Sequence, residues 1–168
     1  MGLFDFLKGS SDKSSAVQSF MQGIQALTSS NYQNAIQYFT ASINSGGNIG
    51  SDHLEACFFN RGQAFKALRK MEEGANDFKR AIELNPHKES SYLKLAECLF
   101  ETGEYGEPHE AAKVLEECTR RFPNSHAAFM NLGIAYVKSV QTDKAIQAFI
   151  AAKRLGNQDA ERFIQQWC

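Results

Sequence analysis

The sequence predicts an all-α fold, a right-handed solenoid of antiparallel helix pairs, and three observations carry that prediction. The segments Cys57–Phe65, Tyr92–Leu99 and Ala128–Tyr136 are near copies of one another. Their small central residues, Gly62, Ala96 and Gly133, are spaced 96 − 62 = 34 and 133 − 96 = 37 apart. Within each copy the apolar residues recur at i, i+3, i+4 and i+7, the period of one helix face. A unit of this length cannot bury its apolar face alone, so it stacks on copies of itself.

The elements follow in order. Residues 1–14 read as a short amphipathic piece, Gly2–Lys8, and a Ser-rich linker, Gly9–Ser15. A repeat domain then spans 15–168, with units near 16–49, 55–88, 89–125 and 126–157 and a capping helix at 158–168. The first unit has Gly23 and Ala26 on one helix and Tyr32, Ala35, Ile36, Phe39 and Ser42 on the next. The second pairs Phe58, Arg61, Gly62 and Phe65 with Gly74, Phe78, Ala81 and Ile82, and Asn85-Pro86 stops it. The third gives Tyr92, Leu95, Ala96 and Leu99, then Ala111, Leu115 and Cys118, ending at Phe122-Pro123. The fourth gives Phe129, Leu132, Gly133 and Tyr136, then Ala145, Phe149 and Ala152, with Gly156 as helix stop. Glycine in a helix costs about 1 kcal/mol against alanine, so its recurrence at Gly23, Gly62 and Gly133 implies a close helix crossing. After Gly156, the stripe Ala160, Phe163, Ile164 and Trp167 faces inward while Glu161, Arg162, Gln165 and Gln166 face out, as a cap requires.

These residues resemble the tetratricopeptide repeat family, whose pattern is an aromatic, Leu-Gly and Tyr in the first helix, then Ala, Phe and Ala, then Pro. Phe58, Gly62, Phe65, Phe78, Ala81 and Pro86 agree with it, as do Phe129, Leu132, Gly133, Tyr136, Ala145, Phe149 and Ala152. The departures are Gly74 in place of alanine, Arg61 in place of leucine, a surplus at Gly106–His109 and another at Gly46–Gly50. The resemblance implies a protein-binding module without catalysis.

Composition narrows the function classes. With 18 basic and 19 acidic side chains the formal charge is −1, and the basic pairs Arg69-Lys70, Lys79-Arg80 and Arg120-Arg121 are scattered. Nucleic acid is therefore not an expected partner, because phosphate-driven binding needs a clustered basic face. Cys57, Cys98, Cys118 and Cys168 show no metal-ligand spacing. No apolar run approaches the roughly 18 residues that span a bilayer. Asp5 and Lys8 interrupt the one apolar stretch that could act as a secretion signal. The expectation is a cytoplasmic protein with no metal, no cofactor and no transmembrane segment, and at most weak membrane-surface contact through Gly2–Lys8.

His53, His87, His109 and His126 are isolated, and no phosphate loop, zinc motif or nucleophile elbow is present, so no catalytic residue is expected. The expected site is a concave groove lined by the first helix of each unit. Its candidates are Phe20, Ile24, Phe59, Asn60, Gln63, Lys94, Glu97, Phe100, Met130, Asn131, Ile134 and Val137. The resemblance implies that Asn60 and Asn131 hydrogen-bond the backbone of an extended peptide. Lys94 alone, with Glu97 one turn on, does not make the two-carboxylate clamp that grips acidic C-terminal tails, so apolar anchors or a partner helix are expected. The alternatives are a self-associating structural protein, joined through the groove or Met1–Lys8, and a targeting subunit of an enzyme complex.

Overall fold

The computed structural model describes residues 3–45, 50–102 and 106–167, with side-chain surroundings from residue 13 to residue 166. The described residues form α-helices joined by short turns and contain no strand. They form two compact units, Met1–Pro86 and His87–Cys168, a division that the sequence reading does not draw. The first holds α1 (Leu3–Thr28), α2 (Tyr32–Asn44), α3 (Ser51–Ala67) and α4 (Met71–Leu84). The second holds α5 (Glu89–Glu101), α6 (Pro108–Arg121), α7 (His126–Lys138), α8 (Thr142–Arg154) and α9 (Ala160–Trp167).

In the first unit α1 pairs with α2, α2 with α3, and α3 with α4; in the second α5 pairs with α6, α6 with α7, α7 with α8, and α8 with α9. The small residues explain these pairings. A Cβ on Gly23 would lie 2.6 Å from Phe39 Cε1, one on Gly133 would lie 2.6 Å from Phe149 Cδ1, and one on Gly62 would lie 3.0 Å from Phe78 Cε1. Phe39, Phe78, Leu115 and Phe149, one from each second helix, are completely buried. Each such side chain stabilises its unit by roughly 1.5–3 kcal/mol. Phe149 also meets Phe163 of α9, ring centroids 5.1 Å apart, so the terminal helix closes the second unit with its apolar face. Ala160 is fully buried there while Gln165 and Gln166 are exposed; the Trp167 side chain lies outside the described surroundings.

Three helix-pair turns share one geometry. Ser30, Arg69 and Val140 each stand seven residues past a glycine (30 − 23 = 69 − 62 = 140 − 133 = 7), and their φ values are 58°, 62° and 60°. Asn31 N donates to Ala26 O at 2.8 Å, Lys70 N to Phe65 O at 2.9 Å, and Gln141 N to Tyr136 O at 2.8 Å. These are Schellman closures, which usually place glycine at the left-handed position. Gly156 does so at the end of α8, with φ 93°, as the sequence predicts.

One stretch differs from expectation. Gly9–Ser15, read as a linker, lies inside α1, a helix of 26 residues. No proline interrupts it, and an existing helix extends by one hydrogen bond per residue at small cost even through serine. The surplus loop at Gly46–Gly50 falls mostly outside the described residues.

Candidate functional site

All twelve groove candidates are half-buried, but the two units use them differently. In the first unit the apolar ones turn toward the interior. The Phe20 ring lies 5.8 Å from Phe39 and 4.9 Å from His53. Ile24 packs on the cluster of Ala35, Phe39 and Ala64. Phe59 meets Phe78 edge-on at 5.6 Å, although helical spacing from Phe58 and Phe65 points it elsewhere. The Asn60 amide serves its own helix: Nδ2 donates to Ala56 O at 2.8 Å, and Oδ1 accepts from Gln63 Nε2 at 3.2 Å.

The second unit presents a different face. Lys94 Nζ sits 2.9 Å from both Glu97 carboxylate oxygens, so the pair neutralises itself. Phe100 of α5 and Met130, Ile134 and Val137 of α7 are half-buried apolar side chains on helices that touch. Among them stands Asn131, whose side chain makes no hydrogen bond among the described residues.

A second feature was not foreseen. An apolar crevice of about 380 Å³ is lined by Phe129, Leu132 and Tyr136 of α7 and by Asp143, Lys144, Gln147 and Ala148 of α8. A second depression of about 430 Å³ along Val140–Lys144 shares Asp143 and Lys144 with it. Helical periodicity puts the crevice residues of α7 on the face turned away from Met130, Ile134 and Val137. The Tyr136 hydroxyl donates to Glu116 Oε1 at 2.6 Å, and Lys144 Nζ lies 5.3 Å above the Tyr136 ring. Burial first, and the bond to Glu116 second, push the Tyr136 hydroxyl up to about 12.

In the first unit Arg61 explains its own departure from leucine. Its Nε and Nη2 contact the Asp77 carboxylate at 2.7 and 2.8 Å, and Nη1 donates to Thr40 Oγ1 at 2.9 Å. The guanidinium carbon lies 5.4 Å from the Phe58 ring and 5.8 Å from the Phe65 ring. One side chain thereby ties α2, α3 and α4 together.

Ser42, His53 and Cys57 also meet, but not as a nucleophile and its base. The fully buried Ser42 hydroxyl gives its proton to Ala16 O at 2.8 Å, so it accepts from Cys57 Sγ at 3.3 Å and from His53 Nε2 at 3.0 Å. Burial pushes the Cys57 thiol up, away from the reactive thiolate. Among the described residues no three His, Cys, Asp or Glu side chains gather to hold a metal ion. No helix among them is long and apolar enough to cross a membrane.

A family model for the tetratricopeptide repeat matches residues 59–107 and 106–160, more than half of the chain. The chain belongs to the tetratricopeptide repeat family. Tetratricopeptide repeats are protein-interaction modules, and the helix pairs described above are their building units. A curated relative, "Protein STIP1 homolog" of Dictyostelium discoideum, is 32% identical over 92 residues, 55% of this chain; the chain spans 15% of that relative's length. Among solved structures, YrrB, described as "a TPR protein with an unusual peptide-binding site", matches with a TM-score of 0.75 at 20% identity, covering 91% of this chain and 75% of that one. MamA from Desulfovibrio magneticus RS-1 matches with a TM-score of 0.75 at 19% identity over 91% and 83% of the two chains. At that identity these structures speak to the fold alone.

Proposed function

We propose that the α5/α7 face of the second unit captures an extended, apolar segment of another protein, with the Asn131 amide bonding the segment's backbone. The observation that carries this reading is the unengaged Asn131 side chain set among half-buried Met130, Ile134, Val137 and Phe100. A side-chain amide offers a donor and an acceptor together, which fits a peptide bond without reading its sequence. Lys94 on α5 is paired with Glu97, so it is not held ready for an acidic tail. In the first unit, by contrast, the rings of Phe20 and Phe59 pack inward and the Asn60 amide is engaged, so that face contributes less.

The test is selection of a displayed random-peptide library on the full chain, followed by titration of the selected peptides against variants. Asn131→Ala removes about one hydrogen bond and is expected to weaken binding about two- to tenfold. Asn60→Ala is expected to change it little. Peptides that bind Asn131→Ala as tightly as the parent protein would remove the α5/α7 face from consideration.

A further inference from the structure

The repeat supplies an internal comparison for the crevice between α7 and α8. Phe129, Leu132, Tyr136 and Ala148 stand 71 residues beyond Phe58, Arg61, Phe65 and Asp77 (129 − 58 = 132 − 61 = 136 − 65 = 148 − 77 = 71). At the earlier set the space is filled: the Arg61 guanidinium lies over both rings and is held by the buried Asp77 carboxylate. At the later set both rings persist, while arginine has given way to Leu132 and aspartate to Ala148. A long arginine and a charged aspartate are gone, and an open apolar space of about 380 Å³ stands in their place.

The rings that remain favour a cation. Tyr136 holds its hydroxyl on the Glu116 carboxylate, and Asp143, in the lining, makes no ion pair among the described residues. Lys144 is the one ammonium in the lining, and it already lies over the Tyr136 ring face. An aromatic face attracts a cation, and guanidinium is the cation that stacks flat and sheds water most readily.

We propose that this crevice accepts an arginine side chain from a partner protein, its guanidinium seated between the Phe129 and Tyr136 rings as Arg61 is between Phe58 and Phe65. Asp143 and Glu116 supply the compensating negative charge, and Lys144 swings aside. Because the crevice residues face away from Met130, Ile134 and Val137 on α7, this site is separate from the peptide face proposed above and stands or falls without it.

The probe is a short acetylated and amidated alanine peptide with one central arginine, titrated into the full chain while backbone amide shifts are followed by NMR. Parallel peptides carry lysine, norleucine or glutamate at the centre. The arginine peptide is expected to shift the amides of Tyr136, Asp143 and Lys144 and to bind about two- to thirtyfold more tightly than the norleucine peptide. Lys144→Gln removes a like charge and should tighten arginine binding. Leu132→Arg combined with Ala148→Asp rebuilds the Arg61–Asp77 arrangement and should abolish binding while the helical spectrum stays that of the parent. If that double variant fails to fold, Lys144→Gln decides by its sign. Norleucine or glutamate peptides binding as well as arginine, weaker binding by Lys144→Gln, shifts centred on Met130 and Ile134, or no arginine binding at all would each overturn the proposal.

Discussion

Changing Gly133 to alanine sets two known terms against each other. The gain is helix propensity, about 1 kcal/mol for alanine over glycine in a helix interior. The cost is steric: the new methyl would come within 2.6 Å of Phe149 Cδ1, and that ring is fully buried. Phe149 is also backed by Phe163 at 5.1 Å, so pushing the ring aside displaces α9 as well. Overpacking of this kind costs about 1–3 kcal/mol, and two neighbours moving together place Gly133→Ala at the upper end. The net expectation is a loss of about 1–2 kcal/mol, seen as a fall of about 2–8 °C in Tm for a chain of this size. Gly62 is the control. Its added Cβ would lie 3.0 to 3.2 Å from the Phe78 ring atoms, so a shift of a few tenths of an ångström suffices and the propensity gain roughly cancels the cost. Urea denaturation followed by far-ultraviolet circular dichroism separates the two variants. Gly133→Ala as stable as the parent, or Gly62→Ala losing as much as Gly133→Ala, would refute the account of these crossings.

Other perturbations test other parts of the fold. Val140 is 86% exposed and β-branched at φ 60°, so Val140→Gly should raise stability by about 1 kcal/mol in the same assay. Asp77→Ala leaves the Arg61 guanidinium half-buried without its carboxylate and should cost about 3 kcal/mol, whereas Arg61→Leu with Asp77→Ala, which copies the Leu132/Ala148 pattern, should recover most of that loss in a double-mutant cycle. Tyr136 keeps its proton in the folded state to about pH 12, against an ordinary value near 10. Its contribution to stability is therefore full below pH 10 and lost as pH rises toward 12. Burial also raises Tyr92, so ultraviolet titration should show one late-ionising tyrosine fewer in Tyr136→Phe than in the parent.

The helix pairs were legible in the sequence because each rests on a local pattern: a glycine or alanine in the first helix, a large apolar residue in the second, and a proline or glycine at the stop. Gly133 and Phe149 announce their contact in that way. What stayed hidden depends on partners distant in the chain. Arg61 reads as a flaw in the pattern until Asp77 and Thr40 are seen to meet it. The inward turn of Phe20 and Phe59 is decided by Phe39, His53 and Phe78, which one helix wheel does not show. The crevice at Tyr136 is a space left by side chains that are absent, and only comparing units 71 residues apart would have revealed it. The left-handed turns were missed because serine, arginine and valine occupy a place where glycine is the usual signal.

Those turns carry one more implication. Main-chain hydrogen bonds close them, so the closure itself does not depend on contacts made by the side chains of Ser30 or Val140. A hydroxyl and an isopropyl group project from the same kind of turn at Ser30 and Val140. Ser30 and Val140 are exposed attachment points, where chemistry can be swapped, labelled or elaborated without disturbing the helices on either side.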